Sequence, residues 1–174
     1  MSPIVYFDYL ESPLGELLIV SDGEHVTRLY LPNHKRAVRP DASWHQSAAP
    51  FAQAREELAE YFAGQRKTFE VSVRGTGTPF QQRVWQELLQ IPFGATISYA
   101  ELARRVGRPN ASRAVGNANG RNPISIIVPC HRVIGADGRL TGYAGGLDNK
   151  RRLLDLERGE RSLAFAAEGQ TTTH

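Results

Sequence analysis

The stretch "SYAELARRVGRPNASRAVGNANGR", residues 98–121, decides how the second half of the chain folds. Ser98 and Glu101 stand at the two ends of a capping box, which predicts that a short helix begins here and ends at Gly107. Asn110 is a suitable N-cap for the helix that follows it. Two short helices joined by a tight turn predict a helix-turn-helix, although many such pairs occur only as packing units.

The second helix of this pair has an unusual outer face, which is rich in glycine. A glycine costs about 1 kcal/mol in a helix interior, so the missing side chains imply that something approaches this face closely. A nucleic-acid backbone or groove, entered by the long side chain of Arg113, meets this requirement. Tight packing of another helix against the glycines is the alternative. The predicted faces are an apolar stripe of Ala111, Ala114, Val115 and Ala118 and an outer face of Arg113, Gly116, Asn117 and Gly120.

Another helix is predicted immediately upstream, in "TPFQQRVWQELLQIPFG" at residues 78–94. Thr78 and Gln81 form a capping box, and Pro79 takes the first helical position, where its missing N–H costs nothing. Apolar residues then recur at every fourth position and form one buried face. The second half of the chain is therefore predicted to be mostly helical.

The first half reads differently. Residues 4–31 predict a β-meander, because three apolar runs are separated by the turn signals "ESPLGE" and "SDGE". An amphipathic helix is predicted at residues 51–62 and ends at Gly64, and a short strand is predicted at 68–73. The Gly/Thr-rich connector at 74–78 is the predicted domain boundary.

Composition sets broad limits on the protein. With 174 residues, 41% of them apolar, the chain can bury one good core or two small ones, and no run is long enough to span a bilayer. The net charge of +3 is a mild bias that raises the odds of a nucleic-acid partner only modestly. The start "MSPIVYFDYL" lacks the features of a signal peptide, and a single cysteine suits the reducing cytoplasm, so a cytoplasmic protein is expected.

The only cysteine, Cys130, lies beside a histidine in the apolar stretch "IVPCHRVIG" at residues 127–135. A lone thiol cannot form an intramolecular disulfide, and one Cys with one His supplies too few ligands for a structural zinc site. A haem-attachment signature would need a second cysteine where Ile127 stands. Cys130 is therefore either a small buried hydrophobe or a nucleophile.

A nucleophilic Cys130 would need a base, and His131 is the adjacent candidate. Neighbouring side chains of an extended segment point in opposite directions, so a water or a bend must mediate between the two. The base would need an orienting carboxylate in turn. The downstream helix "LDNKRRLLDLE" offers Asp148, Asp155 and Glu157 for this purpose.

Three stretches of the chain closely resemble the O6-alkylguanine-DNA alkyltransferases: "TPFQQRVWQELLQIPFGATISYAELARRVGRPNASRAVGNANGRN", "NPISIIVPCHRVIG" and "GYAGGLDNKRRLLDLE". The resemblance is dense from about residue 78 to 158 and loose before residue 75. It implies an α+β fold, in which a ribonuclease-H-like α/β domain precedes a mostly helical, winged-helix-like domain that carries the helix-turn-helix. The expected divisions are residues 1–75 for the first domain, 76–160 for the second and 161–174 for a disordered tail.

The resemblance also implies direct reversal of DNA damage. An O6-alkylguanine, with O4-alkylthymine as a further candidate, would be flipped out of the duplex, and its alkyl group would pass irreversibly to Cys130 in a single turnover. His131, oriented by Glu157, would withdraw the thiol proton through a water. Asn122 would brace the turn that precedes the active-site segment. Cys130, His131, Glu157 and Asn122 are thus the expected catalytic residues.

The same resemblance assigns residues to the damaged base and to DNA. Tyr99 would contact N3 of the guanine, the backbone of Val133 would accept from its amino group, and Tyr143 would lie against the base. Arg113 would enter the base stack in place of the extruded nucleotide. The expected substrate-binding residues are Tyr99, Val133, Tyr143, Ala144 and Gly145, and the expected DNA-binding residues are Ser98, Arg113, Ala114, Gly116 and Asn117.

No metal or other cofactor is expected, because the N-terminal domain lacks the cysteines through which some members of this family bind zinc. The expected partner is double-stranded DNA containing O6-alkylguanine, bound through the minor groove by a monomer, and no membrane is expected. Two alternatives remain open. One is a non-catalytic protein that binds alkyl lesions, and the other is a cysteine hydrolase that uses the same relay over many turnovers.

Overall fold

The structure is a computed structural model that describes residues 3–159 of the chain. The expected tail at 161–174 lies outside the described residues. The elements, in chain order, are β1 (Tyr6–Leu10), β2 (Leu17–Ser21), β3 (Val26–Tyr30), β4 (His45–Gln46), α1 (Ala52–Phe62), α2 (Pro79–Leu88), β5 (Ile97–Ser98), α3 (Tyr99–Arg105), α4 (Ser112–Gly120), β6 (Val133–Ile134) and α5 (Leu147–Glu157). The predicted α+β class, with an N-terminal sheet domain and a C-terminal helical domain, is confirmed.

The predicted β-meander is confirmed as the core of the N-terminal sheet. The strand order is β3-β2-β1-β4, in which β2 pairs antiparallel with both β1 and β3, and β4 adds a short parallel edge to β1. Leu17 and Ile19 of β2 are fully buried and join Phe51, Leu58 and Tyr61, on and before α1, in one apolar cluster. The helix therefore covers one face of the sheet.

The strand predicted at 68–73 is not formed. Within the described chain, Val73 makes only an isolated bridge to Val26. The N–H groups of Glu70 and Val71 donate instead to the side chain of Glu57, at 2.8 and 3.1 Å. A carboxylate on α1 thus takes the hydrogen bonds that a neighbouring strand would have made.

The capping box that begins α2 is present as predicted, with Thr78 and Gln81 satisfying each other's backbone N–H groups. Val84, Trp85 and Leu88 are buried. Trp85 donates its indole N–H to the carbonyl oxygen of Ala118 at 2.9 Å. Helix α2 is therefore fixed against α4 by one directed hydrogen bond in addition to apolar packing.

The start of α3 follows the prediction only in part. The Ser98 side chain accepts from the backbone N–H of Glu101. The Glu101 carboxylate does not return the bond, because it pairs with Arg104 and Arg105 in the next turn. The helix ends at Arg105, and Gly107, the predicted stop, follows two residues later with a positive φ of 79°.

Two predictions for α4 were wrong. Asn110 is exposed and is not the N-cap, because a turn between the Ala111 N–H and the Arg108 carbonyl puts Ala111 in that position. Ala114 is exposed and does not belong to the buried stripe. It lies about 100° around the helix from Val115, which places it at the solvent edge of the buried face. The buried residues of α4 are Val115, Ala118 and Asn119.

The segment after α4 ties the two domains together. Leu29 of β3 donates its N–H to the Pro123 carbonyl and accepts from the Ser125 N–H, at 2.9 and 3.0 Å. Further along, β6 pairs in parallel with β5, which joins the segment after Cys130 to the start of α3 within the helical domain. Within residues 3–159, no helix has the length and apolar character to cross a bilayer.

The capping box of α2 provides a test of the fold. Thr78→Ala removes the acceptor for the Gln81 N–H and is expected to lower the free energy of unfolding by about 1 kcal/mol. Chemical denaturation monitored by circular dichroism measures the change. Thr76→Ala, an exposed threonine two residues upstream, is the control, and an equal loss in both variants would contradict the capping role.

Candidate active site

Cys130 lies in a single turn of 3-10 helix, Cys130–Arg132, and not in an extended segment as predicted. The turn follows Pro129 and buries the side chains of Cys130, His131 and Arg132. No hydrogen bond joins the thiol to the imidazole among the described residues. The bend that the sequence required is present, but a direct proton transfer between the two side chains is not set up.

The carboxylate of Glu157, at the end of α5, is hydrogen-bonded to both side chains that follow Cys130 in this turn. His131 Nε2 lies 2.6 Å from Oε2, and Arg132 donates from Nε and Nη2 at 2.7 and 3.0 Å. Burial acts to raise the pKa of Glu157, but the charges and hydrogen bonds of His131 and Arg132 outweigh it and hold that pKa well below its ordinary value. Of the three candidate carboxylates, Glu157 is the one placed to orient His131.

This arrangement fixes the tautomer of His131. An ionised carboxylate only accepts hydrogen bonds, so the ring proton lies on Nε2. Nδ1 is left as an acceptor, and it is buried without a hydrogen-bond partner within residues 3–159. Burial lowers the pKa of His131, although the neighbouring carboxylate acts to raise it. The lowered pKa keeps the ring neutral. The site therefore contains a neutral imidazole with an unused basic nitrogen.

The Cys130 thiol is protonated at rest and needs such a base. Burial raises its pKa, and the Asn122 side chain and the positive charge of Lys150 only partly offset that effect. A buried thiol that no base can reach is a poor nucleophile. His131 Nδ1, on the next residue of the same turn, is an acceptor without a partner among the described residues.

Asn122 and a strained residue shape the backbone before Cys130. Asn122 donates to the carbonyls of Val128 and Ile124, at 2.8 and 3.2 Å, and accepts from the Ile124 N–H at 3.0 Å. Ile126 has a φ of +72°, which a β-branched residue rarely adopts. Such strain persists only where the surroundings hold the backbone in place. The bonds of Asn122 supply that restraint.

Lys150, which sequence analysis did not select, is fully buried in α5. Its ammonium group donates to the carbonyls of Val133 and Thr141 at 2.7 and 2.8 Å, and burial lowers its pKa to about 8. The Val133 carbonyl, expected to accept from guanine, is thus already bonded to Lys150 in this structure. Lys150 links the Cys130 turn to the loop at 141–146.

The loop at 141–146 packs against the N-terminal domain. The Ala144 carbonyl accepts from the Lys35 N–H at 2.9 Å. At Gly145, a Cβ atom would lie 2.4 Å from a Leu31 methyl group and 2.8 Å from the Tyr143 ring, so only glycine fits. Tyr143 itself is buried. The N-terminal domain therefore sets the position of this loop.

A cavity of about 580 Å³ opens between this loop and the outer face of α4. The expected site residues in its wall are Tyr99, Arg113, Gly116, Asn117, Tyr143 and Ala144. Ser98, Ala114, Val133 and Gly145 lie outside the wall, as does Cys130, which is 6% exposed. Tyr99 is hydrogen-bonded through its hydroxyl to the Thr141 carbonyl at 3.2 Å. The structure thus brings most of the expected base-binding and DNA-binding residues around one opening.

The glycines of α4 face this cavity. A Cβ atom at Gly120 would meet no other group of the described chain within 4 Å, and one at Gly116 would lie 3.4 Å from the Tyr99 ring. The alternative of a helix packed against these glycines is therefore wrong for Gly120. The exposed guanidinium of Arg113 stands on the same face. This bare face of α4 therefore has no side chains at Gly116 and Gly120 and carries the positive charge of Arg113.

Comparison with known proteins identifies the family. Residues 5–74 match the ribonuclease-like domain of 6-O-methylguanine DNA methyltransferase, and residues 79–159 match its DNA binding domain. The methylated-DNA–protein-cysteine methyltransferase of Methanosarcina acetivorans is 48% identical over 88% of this chain and 98% of its own. The chain belongs to the O6-methylguanine-DNA methyltransferase family.

Two other members of this family match the chain to a similar extent. The constitutive methylated-DNA–protein-cysteine methyltransferase of Bacillus subtilis is 48% identical over 88% of this chain and 95% of its own. The crystal structure of Mycobacterium tuberculosis OGT in complex with DNA is 46% identical, covers 89% of this chain and 94% of that one, and superposes with a TM-score of 0.83. The match extends over both domains, including the N-terminal residues before 75, where the sequence motifs had indicated only a loose resemblance.

Three residues of this methyltransferase site were missed from the sequence: Tyr61, Arg132 and Lys150. Lys150 and Glu157 are seven residues apart on the buried face of α5, and a charge among buried leucines is a readable signal. Arg132 directly follows His131 in a buried turn, which is a similar signal. Tyr61 has none, since a tyrosine on the apolar face of α1 looks like ordinary core. No group of three or more His, Cys, Asp or Glu side chains within residues 3–159 is placed to hold a metal ion.

Lys150 provides a test of the site's electrostatics. Lys150→Met removes the buried charge while keeping most of the volume, and is expected to raise the pKa of the Cys130 thiol by roughly one pH unit. The rate of Cys130 alkylation by iodoacetamide as a function of pH measures the thiol pKa. Lys67→Met, which removes an exposed charge, should leave the profile unchanged. An unchanged profile in Lys150→Met would show that its charge does not reach the sulfur.

Proposed function

We propose that this protein repairs DNA by transferring the alkyl group of O6-alkylguanine to its own Cys130. The carrying observation is the buried relay in which Glu157 fixes the tautomer of His131 and leaves Nδ1 free to serve the single cysteine. The relatives that carry the name methylated-DNA–protein-cysteine methyltransferase support the same activity, because they match nearly the whole chain. The protein is therefore a methyltransferase whose acceptor is one of its own residues.

The proposed reaction is a nucleophilic substitution at the alkyl carbon. The Cys130 proton passes through a water to His131 Nδ1, the sulfur forms a bond to the alkyl carbon, and the bond from that carbon to guanine O6 breaks. The departing base takes the electron pair of the broken bond, and the Tyr99 hydroxyl, near N3, stabilises it. Glu157 stabilises the imidazolium while it is charged. The imidazolium then gives up its proton and the departing base gains one, so that neutral guanine and neutral His131 are restored.

Single turnover follows from the chemistry of the product. A thioether has no good leaving group, and the sequence holds no second cysteine that could exchange with it. Each molecule would therefore act once. Because the thiol must stay reduced to react, we place the protein in the cytoplasm. We further propose that it acts as a monomer, since one chain carries the whole relay.

DNA is proposed to dock on the bare face of α4. In this proposal α3 and α4 form a helix-turn-helix whose second helix enters the minor groove, and Arg113 fills the space left by the flipped nucleotide. The absence of side chains at Gly116 and Gly120 lets the backbone of α4 approach the groove. The complex of Mycobacterium tuberculosis OGT with DNA supports binding of DNA as such. Flipping would bring the base into the cavity beside Tyr99 and Tyr143.

Intact mass spectrometry tests the activity. Wild-type protein mixed with an oligonucleotide containing O6-methylguanine is expected to gain one methyl group per chain, on Cys130, and then to stop. Cys130→Ser should bind the same DNA and gain nothing, because a hydroxyl is a far weaker nucleophile than an activated thiolate. Binding without any mass gain by the wild type would favour a lesion-binding protein, and repeated turnover of an ester would favour a hydrolase.

Arg113 provides a test of the flipping role. Arg113→Ala is expected to slow repair of duplex DNA by at least about tenfold while changing the reaction with free O6-benzylguanine less than about twofold, since only the duplex requires extrusion of the base. Arg74→Ala removes the same charge on an exposed residue away from the cavity and controls for net charge. Equal losses on both substrates would place Arg113 in the chemistry or in the fold.

A further inference from the structure

Tyr61, in the N-terminal domain, reaches the reactive centre of the C-terminal domain. Its side chain, near the end of α1, is fully buried, and its hydroxyl donates to Glu157 Oε2 at 2.6 Å. Burial and the Glu157 charge raise the pKa of Tyr61 well above its ordinary value, so the hydroxyl keeps its proton and remains a donor. The two residues are 96 positions apart in the sequence.

The ring of Tyr61 does not explain the hydroxyl. It packs against Phe62, Phe69 and Phe93, with centroid distances of 5.3, 5.3 and 6.0 Å, in a cluster where phenylalanine would fill the same space. Burying a hydroxyl is unfavourable unless it finds a partner. Here the partner is the oxygen atom that also holds His131 Nε2 at 2.6 Å. The hydroxyl therefore acts on the relay.

Oε2 of Glu157 shares its negative charge among several donors. Besides His131 and Tyr61, it accepts from Arg132 Nη2 at 3.0 Å, while Oε1 accepts from Arg132 Nε. Each donor draws electron density from the carboxylate and leaves less to stabilise a positive imidazolium. The Tyr61 bond differs from the others because it is the contribution of a different domain. It can be removed without stripping Glu157 of its buried counter-charge.

We propose that Tyr61 is a positioning residue that holds Glu157 Oε2 in place and sets the basicity of His131. The proposal rests on the proposed function in one respect, namely that His131 is the base for Cys130. By limiting the charge that Glu157 offers, Tyr61 keeps His131 neutral and able to accept a proton. The N-terminal domain would thereby contribute to the chemistry as well as to the support of the loop at 141–146.

Loss of the Tyr61 hydroxyl is expected to raise the pKa of His131. The carboxylate becomes a better acceptor, the imidazolium is stabilised, and His131 is protonated at higher pH. The other charged and titratable groups that act on this assembly stay in place in such a variant: Cys130 and Arg132 on the same turn, Lys150 and Glu157 on α5, and Tyr143 in the loop. A change in the titration of His131 would therefore report the hydroxyl alone.

The first experiment is an NMR titration of Tyr61→Phe, which needs no substrate. Long-range ¹H–¹⁵N spectra of histidine-labelled protein report the tautomer and pKa of His131. We expect the Nε2–H tautomer in both proteins and a pKa of His131 higher by roughly half to one pH unit in the variant, the value of one net hydrogen bond. Tyr30→Phe, which removes another buried tyrosine hydroxyl in the N-terminal domain, is the matched control and should leave His131 unchanged.

The second experiment measures the rate of Cys130 alkylation by free O6-benzylguanine across pH. Where His131 is already protonated it cannot act as a base, so the low-pH limb of the profile should move to higher pH in Tyr61→Phe by the same amount as the NMR titration. The expected result is a rate about three- to tenfold lower at the acid end of the profile, where His131 is protonated in both proteins, and within about twofold of wild type near pH 8. A uniform loss at all pH values, with no movement of the limb, would show that Tyr61 has only a structural role.

A second variant keeps the proposal testable if Tyr61→Phe does not fold. Replacement of Tyr61 by 3-fluorotyrosine retains the hydroxyl and makes it a stronger donor, so the pKa of His131 and the low-pH limb should move in the opposite direction, to lower pH. An unchanged pKa of His131 in a folded variant of either kind would overturn the proposal. If wild type is not alkylated at all, the proposed function fails, while the NMR titration still decides the role of Tyr61.

Discussion

The carboxylate of Glu157 lies where three separate parts of the chain meet: the end of α5, the turn at Cys130–Arg132 and the end of α1. A fully buried negative charge is tolerated only when it is paired and hydrogen-bonded, because transfer of an ion out of water costs several kcal/mol even in real proteins. Arg132, His131 and Tyr61 provide that compensation. The same bonds that stabilise the buried charge also orient the imidazole. The contact between the two domains and the orientation of His131 therefore both depend on Glu157.

The active-site segment is held in place by its surroundings and not by its own conformational preference. Ile126 adopts a backbone conformation that a β-branched residue avoids, and Asn122 restrains the carbonyls on either side of it. Downstream, Lys150 bonds the backbone of Val133, directly after the Cys130 turn, and that of Thr141 in the 141–146 loop. A nucleophile whose position is fixed before substrate arrives loses little entropy in reaching the transition state. The strained backbone at Ile126 is consistent with a site in which the position of Cys130 is maintained at a cost in local stability.

The outer face of α4 shows how an absence of side chains can be informative. A Cβ atom at Gly120 would meet nothing of the described chain within 4 Å outside its own helix, and one at Gly116 would meet only the ring of Tyr99, although alanine would favour the helix at both positions. A surface that is costly to its own helix and unused by the rest of the described chain is suited to an external partner. Arg113 lines the cavity on this surface, and the match of residues 79–159 to the DNA binding domain of the family is the ground for proposing DNA as that partner.

The sequence by itself determined the elements whose causes are local. The capping box at Thr78, the glycine stop at Gly107 and the three strands of the meander depend on residues within a few positions of one another, and the structure has all three. Resemblance to the family, carried by motifs such as "PCHR", indicated the reactive cysteine and its neighbours. Local rules erred where a longer contact competed, as when Glu57 took the backbone bonds of the strand expected at 68–73.

Only the tertiary structure decided which side chains surround the reactive turn. Sequence reasoning from the residues left three carboxylates open, and the fold placed Glu157, not Asp148 or Asp155, against His131. It also buried Lys150 beneath the loop and brought Tyr61 to Glu157 from 96 residues away. Contacts of this kind leave no local pattern, because they depend on how whole elements pack and on where a buried charge finds its partners. The sequence therefore indicated Cys130 and His131, and the packing of the two domains determined which charged and polar groups act on them.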